Sequence, residues 1–235
     1  MKLIKTMNYK RKIQISPSLM CADTLNIREY INFFNKNADF LHVDIMDGHF
    51  VKNIVFSPKY VKDISQIAEI PIDCHLMVTN PEDFVDAFIE SGATYISLHA
   101  ETIYHNAFRL IQRIHECNKK VGIVISPSTP LSFIKYYAHL IDKLTFMTVD
   151  PGYAGQKFID SVLVKMQEAI DFRKQNNFDF LIEADGQANK STYKKLYENG
   201  NEVFIVGASG LFNLDSNIST AWSIMQTELN NSINV

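Results

Sequence analysis

Ser16-Pro17-Ser18-Leu19-Met20-Cys21-Ala22-Asp23 (SPSLMCAD, residues 16–23) follows the first β-branched run of the chain and contains no glycine. An open, doubly wound α/β sheet usually carries a glycine-rich turn at this point, between its first strand and first helix. Without that turn, the choice between parallel-sheet architectures moves to the closed barrel. Outward from this segment the chain alternates short β-branched runs with longer amphipathic stretches, eight times over. Strands are expected at Ile13–Ile15, Phe40–Val43, Pro71–Leu76, Tyr95–His99, Val121–Ile125, Lys143–Val149, Phe180–Ala184 and Val203–Val206. Helices are expected at Asn26–Asn37, Pro58–Ala68, Pro81–Ser91, Ala107–Asn118, Leu131–His139, Ser161–Asn176, Lys190–Asn199 and Asn213–Leu229. Alternation of this kind implies a parallel sheet with right-handed crossovers, and eight units close a (β/α)₈ TIM barrel.

Local signals agree with the pattern. Asn80-Pro81-Glu82 reads as an N-cap, a proline at the first helical position and an acid in the first turn. Ser91-Gly92 and Asn199-Gly200 end their helices on the residue that tolerates a left-handed cap. No Ser/Gly-rich linker or composition shift divides the 235 residues. The expected organisation is a short leader, residues 1–12, ahead of a single α/β barrel domain, residues 13–235.

Composition excludes several function classes. Hydrophobic residues make up 46% and charged residues 21% of the chain, an ordinary globular balance. A net charge of −3 offers no general attraction to nucleic acid or acidic lipid. The basic run Lys10-Arg11-Lys12, with Lys2 and Lys5 before it, reads as a solvated leader. Cys21, Cys74 and Cys117 are odd in number and form no CxxC pair, which suits a reducing compartment. Charges interrupt the first residues, so no secretory signal is read there, and no stretch approaches the roughly 18 apolar residues of a membrane span. The expectation is a soluble cytoplasmic protein with no nucleic-acid or membrane partner.

In a barrel of this kind the active site lies at the C-terminal ends of the strands. Strand two ends LHVDIMDGHF, where His42 and Asp44, two residues apart, leave the same face. Strand three ends IDCHLMV, with Asp73 and His75 on one face and Cys74 on the other, directed into the helix layer. Strand seven ends at Asp185 in IEADGQAN. Singly, each is better read as a structural histidine or a turn aspartate. Together, two imidazoles and two carboxylates converge in an interior usually filled by Val, Ile and Leu, and they need charge compensation. One divalent ion held by His42, Asp44, His75 and Asp185 supplies it; the mixed donors suit Zn²⁺, Mn²⁺, Fe²⁺, Co²⁺ or Mg²⁺ rather than Ca²⁺. His105, His115 and His139 fall in or beside helices and are read as solvated or capping. His99 closes strand four and can line the pocket, and His49 lies in the loop above it; neither is assigned a catalytic role.

Glycine-containing turns follow the last three strands, at DPGYAGQ, DGQAN and VGASGLF. Barrels often bind phosphate there, on backbone N–H groups that a side chain would obstruct. The candidates are Gly152, Tyr153, Ala154, Gly155, Gly186, Gln187, Gly207, Ala208 and Ser209. Metal ligands on one side of the mouth and an anion site on the other suit a small phosphorylated substrate.

The segments SPSLMCAD, HVDIMDGHFVKN, DCHLMV, TVDPGYAGQKFI and EADG, in that order, resemble the ribulose-phosphate 3-epimerase family across all but the first dozen residues. The resemblance implies metal-dependent epimerisation at C3 of a ketose phosphate by a homo-oligomeric enzyme. It makes His42, Asp44, His75 and Asp185 metal ligands, and Asp44 and Asp185 the proton-transfer pair. It also implies that Ser18, His75, Met46, Met77 and Met147 contact the substrate. LMCAD, LHAET, KYYAHLIDKLTFMTVDPGYAGQ and FIVGASGLFN resemble the branch of the family acting on D-allulose 6-phosphate, which interconverts with D-fructose 6-phosphate. Gln187-Ala188 stands where enzymes acting on D-ribulose 5-phosphate, the alternative substrate, typically carry a second glycine. Two further readings compete. A metal-free phosphate-binding barrel, such as a decarboxylase or an indole-forming lyase, leaves His42 and His75 without a task. A sugar-phosphate-binding module without catalysis leaves the Asp44–Asp185 pair without one.

Overall fold

The computed structural model describes residues 12–233. Nine strands form one sheet: β1 (Gln14–Pro17), β2 (Leu41–Asp47), β3 (Ile54–Val55), β4 (Ile72–Met77), β5 (Tyr95–His99), β6 (Lys120–Ile125), β7 (Lys143–Met147), β8 (Leu181–Asp185) and β9 (Val203–Val206). Their order is β1-β9-β8-β7-β6-β5-β4-β2-β3, parallel throughout except for the antiparallel β2–β3 pair. The two ends of this curl meet between β1 and β2. A parallel bridge joins Ser18 to His42, and the Asp39 N–H donates to the Ile15 carbonyl at 3.0 Å. The result is the expected eight-stave parallel barrel, with β3 a two-residue lip folded back from the end of β2. Most of the leader expected at residues 1–12 lies outside the described residues; Lys12 pairs with Asp39 at 3.3 Å.

The helices are α1 (Ile27–Asn37), α2 (Pro58–Ser65), α3 (Val85–Glu90), α4 (Ala107–Glu116), α5 (Val162–Asn176), α6 (Tyr193–Glu198) and α7 (Ile218–Ile233). In α4 the buried residues Ala107, Leu110, Ile111 and Ile114 recur at three- and four-residue spacing, the stripe a helix needs to lie on a sheet. The strands supply the opposite face of that layer by alternation. Leu41, Val43 and Ile45 of β2, with Ile72, Cys74 and Leu76 of β4, enter the apolar layer beneath the helices. Cys74 therefore points outward, as its position between Asp73 and His75 implied.

The helix expected at Leu131–His139 is instead two 3₁₀ turns, Leu131–Ile134 and Ala138–Leu140. The stretch carries three aromatic residues, Phe133, Tyr136 and Tyr137, which are poor helix formers. Its entry is also fixed in an open shape, because the Lys165 Nζ of α5 donates to the carbonyls of Ser126, Pro127 and Thr129 at 2.7–2.8 Å. The last helix starts at Ile218 rather than Asn213. Asn217 Oδ1 accepts the N–H groups of Ser219 and Thr220, an N-cap placed four residues later than expected, and a single π turn at Ala208–Phe212 ends just before the expected start. The segment from Pro81 begins as a 3₁₀ turn, Pro81–Asp83, and Asn80 makes no side-chain cap.

The inward-facing residues are stacked in levels. Phe40, Tyr95, Val203 and Leu181 form an apolar floor. Above it Lys143, fully buried, bridges Asp73 and Glu183, with Glu183 Oε1 at 2.8 Å. The His42, Asp44, His75 and Asp185 side chains come next, and Met46, Met77 and Met147 border the open mouth.

Candidate active site

Strand register brings the site together. β2 and β4 pair with His42 opposite Asp73 and Asp44 opposite His75, so the two HxD/DxH alternations present four polar side chains to one interior surface. Asp185 ends β8, three staves away around the barrel. One ligand atom from each of His42, Asp44, His75 and Asp185 lies within 4.8 Å of the others, and all four residues are buried.

His42 Nε2 faces Asp44 Oδ1 at 3.3 Å and Asp185 Oδ2 at 3.6 Å, while its Nδ1–H donates to Asp73 Oδ2 at 3.1 Å. His75 Nδ1 faces the same two carboxylates, each at 3.4 Å. These separations are charge contacts rather than good hydrogen bonds. His75 Nδ1 is thus a fully buried nitrogen with no hydrogen-bond partner, aimed between two carboxylates. Buried polar atoms are normally satisfied, and a missing ion is one explanation for an exception. The donor set, two imidazole nitrogens and two carboxylates, fits a borderline-soft divalent cation, and these four residues could hold one.

The electrostatics carry the same message. Burial pushes the Asp44 carboxyl up, but the close approach of His42 and then of His75 holds it far below the carboxylate range. Burial opposes charge on His42, yet Asp44, Asp185 and Asp73 together raise it well above the usual imidazole value. His75 is also raised, against its burial, chiefly by Asp185 and Asp44. Asp185 is lowered despite burial by the two imidazoles. The field of the acids thus favours positive charge at the point where the four side chains converge.

The level beneath supports this cluster. Asp73 accepts from His42, from Ser97 Oγ at 2.5 Å and from Lys143. Burial works against its charge, but Lys143 above all holds the carboxyl far below its ordinary value. Glu183 is raised, chiefly by burial, and accepts from Lys143 and from Thr145 Oγ1 at 2.7 Å. Sequence reasoning placed Asp73 on the right face without giving it a task, and it passed over Ser97, Lys143 and Glu183. The signal was available: a lysine opening KLTFM and a glutamate inside LIEAD are charges within runs that otherwise read as buried strands.

A cavity opens above the cluster. Ser18, Asp44, Met46, Met77, Met147 and Asp185 line its inner end. Gly152, Tyr153, Ala154, Gly155, Gly186, Gly207, Ala208 and Ser209 line the rest. Ser18 Oγ donates to Asp44 Oδ2 at 2.8 Å. Among the expected anion-binding residues, Gln187 does not line this space. Its N–H is given to Thr148 Oγ1, its amide donates to the Gln156 carbonyl, and its Oε1 accepts from Asn189 Nδ2 and Ser209 Oγ. Gly186 is needed where it stands: its φ is +119°, and a Cβ there would lie 2.8 Å from both Thr148 Oγ1 and Val149 Cγ2. His99 is buried against His75, and His49 is exposed in the loop after β2.

Residues 14–212 match the model of the ribulose-phosphate 3 epimerase family. The chain belongs to this family. It is 38% identical over 199 residues to ribulose-phosphate 3-epimerase of Bacillus subtilis (strain 168), covering 84% of this chain and 91% of that one. It is 33% identical over 204 residues to the chloroplastic ribulose-5-phosphate-3-epimerase of Arabidopsis thaliana, covering 85% and 72%. Among solved structures, 3-hexulose-6-phosphate synthase is similar at TM-score 0.65 and 11% identity, covering 94% of this chain and 100% of the other. A tryptophan synthase α-subunit variant from Pyrococcus furiosus is similar at TM-score 0.67 and 12% identity, covering 94% and 98%. At such identities the likeness to both is one of fold. Membership of the ribulose-phosphate 3-epimerase family makes the chain an isomerase of the racemase and epimerase class.

Proposed function

We propose that the protein interconverts D-ribulose 5-phosphate and D-xylulose 5-phosphate by moving the C3 proton between Asp44 and Asp185. The observation that carries the reading is that these two carboxylates, from β2 and β8, stand 3.4 Å from the same His75 nitrogen at the inner end of one cavity. The family's relatives named for ribulose phosphate support the five-carbon substrate.

Epimerisation requires the C3 proton to leave from one face and return to the other. Asp44, kept ionised by its imidazole neighbours and by the Ser18 hydroxyl, takes the proton in one direction. The C–H electron pair moves onto the C2 carbonyl, giving an enediolate. Asp185, protonated at the start of turnover in this direction, gives its proton to the opposite face of C3 and is left ionised, and the roles exchange in reverse. Such positioned acid and base groups each contribute typically about 10²- to 10⁴-fold. A divalent ion held by His42, Asp44, His75 and Asp185 would act as a Lewis acid, stabilising the developing oxygen charge by several kcal/mol. Met46, Met77 and Met147 keep the reacting carbon in an apolar wall, where competing protonation by water is suppressed. The phosphate is assigned to the Gly152–Gly155 turn, Gly186 and the start of the π turn at Gly207–Ser209, where helical N–H groups lack internal partners.

A second substrate, D-allulose 6-phosphate, is favoured by Gln187. Its side chain binds Ser209, so the rim of the phosphate turn is set by a residue that the second glycine of pentulose enzymes cannot imitate. The deciding experiment is kcat/KM on both sugars with one metal-loaded preparation. A preference for D-ribulose 5-phosphate upholds the proposal; a preference for the six-carbon sugar replaces its substrate and makes Gln187 the element to vary.

A further inference from the structure

His75 reaches the candidate metal site through Nδ1, whereas His42 reaches it through Nε2. The His42 orientation is explained by Asp73, which takes the proton on the other nitrogen. Among the described residues, no carboxylate is found against the far side of His75. Its Nε2 instead meets His99 Nε2 at 3.0 Å, the two rings stacked with centroids 5.0 Å apart. His99 Nδ1 in turn meets Glu101 Oε2 at 3.2 Å.

We propose that Glu101, acting through His99, sets the tautomer of His75 and so leaves its Nδ1 lone pair free for the metal. This rests on the metal-dependent reading above. An ionised carboxylate only accepts, so His99 must carry its proton on Nδ1. The neutral His99 ring then offers a lone pair at Nε2, and His75 must fill it with an Nε2–H. That leaves His75 Nδ1 unprotonated, the buried nitrogen with no hydrogen-bond partner. The far end of the relay is equally fixed. Glu101 Oε1 accepts from the Ser126 N–H at 2.9 Å and from the Thr129 hydroxyl, so Oε2 alone is left to face His99. Phe50 packs on the His99 ring at a centroid distance of 4.6 Å and holds it in place. Glu101 is thus a positioning residue, set on the loop after β5 and two hydrogen bonds removed from the candidate ligand His75.

The fork in the Glu101 bonds makes a sharp test. In Glu101→Gln the single amide oxygen stays with the two donors, Ser126 and Thr129, and the amide NH₂ turns to His99. His99 must then accept on Nδ1, carry its proton on Nε2 and donate to His75 Nε2, which drives the His75 proton onto Nδ1. The substitution keeps shape and volume, yet it inverts every bond in the relay. By contrast, His99→Gln keeps a donor for Glu101 and an acceptor for His75.

The experiment is a Co²⁺ titration of the parent, Glu101→Gln and His99→Gln, read by visible absorption and by competition with a chelator, with urea unfolding as a check on the fold. Outer partners of metal ligands typically govern affinity by about 10- to 100-fold. The expected result is a Co²⁺ affinity lowered by that factor, with an altered spectrum, in Glu101→Gln, and an affinity within about threefold of the parent in His99→Gln. Parent-like affinity and spectrum in Glu101→Gln would overturn the relay alone. Failure of the parent itself to bind Co²⁺ would overturn the metal reading and the relay with it.

Discussion

At the scale of single residues, Asp185 separates holding a metal from moving a proton. Asp185→Asn keeps an oxygen ligand but removes the titratable group. Epimerisation is expected to fall by about 10²- to 10⁴-fold, while the C3 hydrogen of the epimer that faces Asp44 still exchanges with deuterated solvent. Equal loss of exchange and epimerisation, followed by NMR, would confine Asp185 to metal holding. Glu101 supplies a pH test. Burial raises its carboxyl, but His99, Thr129 and the Ser126 N–H bring it from an ordinary 4.5 down to about 2. A carboxylate lowered on folding stabilises above its unfolded value and loses that contribution as pH falls through its folded value. The parent's advantage over Glu101→Gln in urea unfolding should therefore be full above pH 4.5 and vanish toward pH 2. The metal-facing residues were legible because two-residue spacing at a strand end fixes a shared face whatever the neighbours do. Lys143 and Glu183 stand out as charges in buried runs, but their task was not legible, because such a charge is explained only by its partner, 40 residues away in sequence.

Among the elements, β6 shows how a strand makes room for a polar level inside a barrel. Gly122 faces Ser97 on β5, and a Cβ on it would lie 2.0 Å from Ser97 Oγ. The missing side chain lets Ser97 stand against Asp73. Gly122→Ala should cost about 1–3 kcal/mol, as overpacking does. Adding Ser97→Ala should recover part of that loss, because the tightest overlap is with the hydroxyl while the Ser97 Cβ, 2.9 Å away, remains, and it does so at the expense of the Asp73 hydrogen bond. Thermal unfolding of the two single variants and the double variant checks the coupling; simple additivity would show that the two residues do not compete for one space. Strand positions were read well from sequence, since alternation repeats eight times and each repeat constrains the next. The segment after β6 was misread because its amphipathic spacing survives in a chain that Lys165, 36 residues beyond Thr129, holds out of helical shape. The start of α7 was misplaced for a related reason, since two asparagines, Asn213 and Asn217, compete as caps and only the fold chooses between them.

For the whole molecule, the candidate ligands span the chain from His42 to Asp185 and come from β2, β4 and β8. An ion bound there favours the folded state by mass action, about 2.7 kcal/mol when its free concentration is 100 times its dissociation constant. In a domain of this size that corresponds to roughly 5–10 °C in Tm. Excess EDTA should lower Tm by this amount and abolish activity, and adding back a divalent ion should restore both. An unchanged Tm with activity lost would place the ion in catalysis alone.

The joint between β1 and its neighbours has a bearing on how the chain is made. Residues 14–17 pair with residues 203–206, while their other edge meets β2 through little more than the Ser18–His42 bridge. On the ribosome, the first strand emerges long before its main partner exists. Until the last strand leaves the exit tunnel, the growing sheet has an open edge at each end, and open edges are templates for unwanted pairing. Stop codons placed before residue 203 should thus yield insoluble fragments rather than smaller, weaker enzymes.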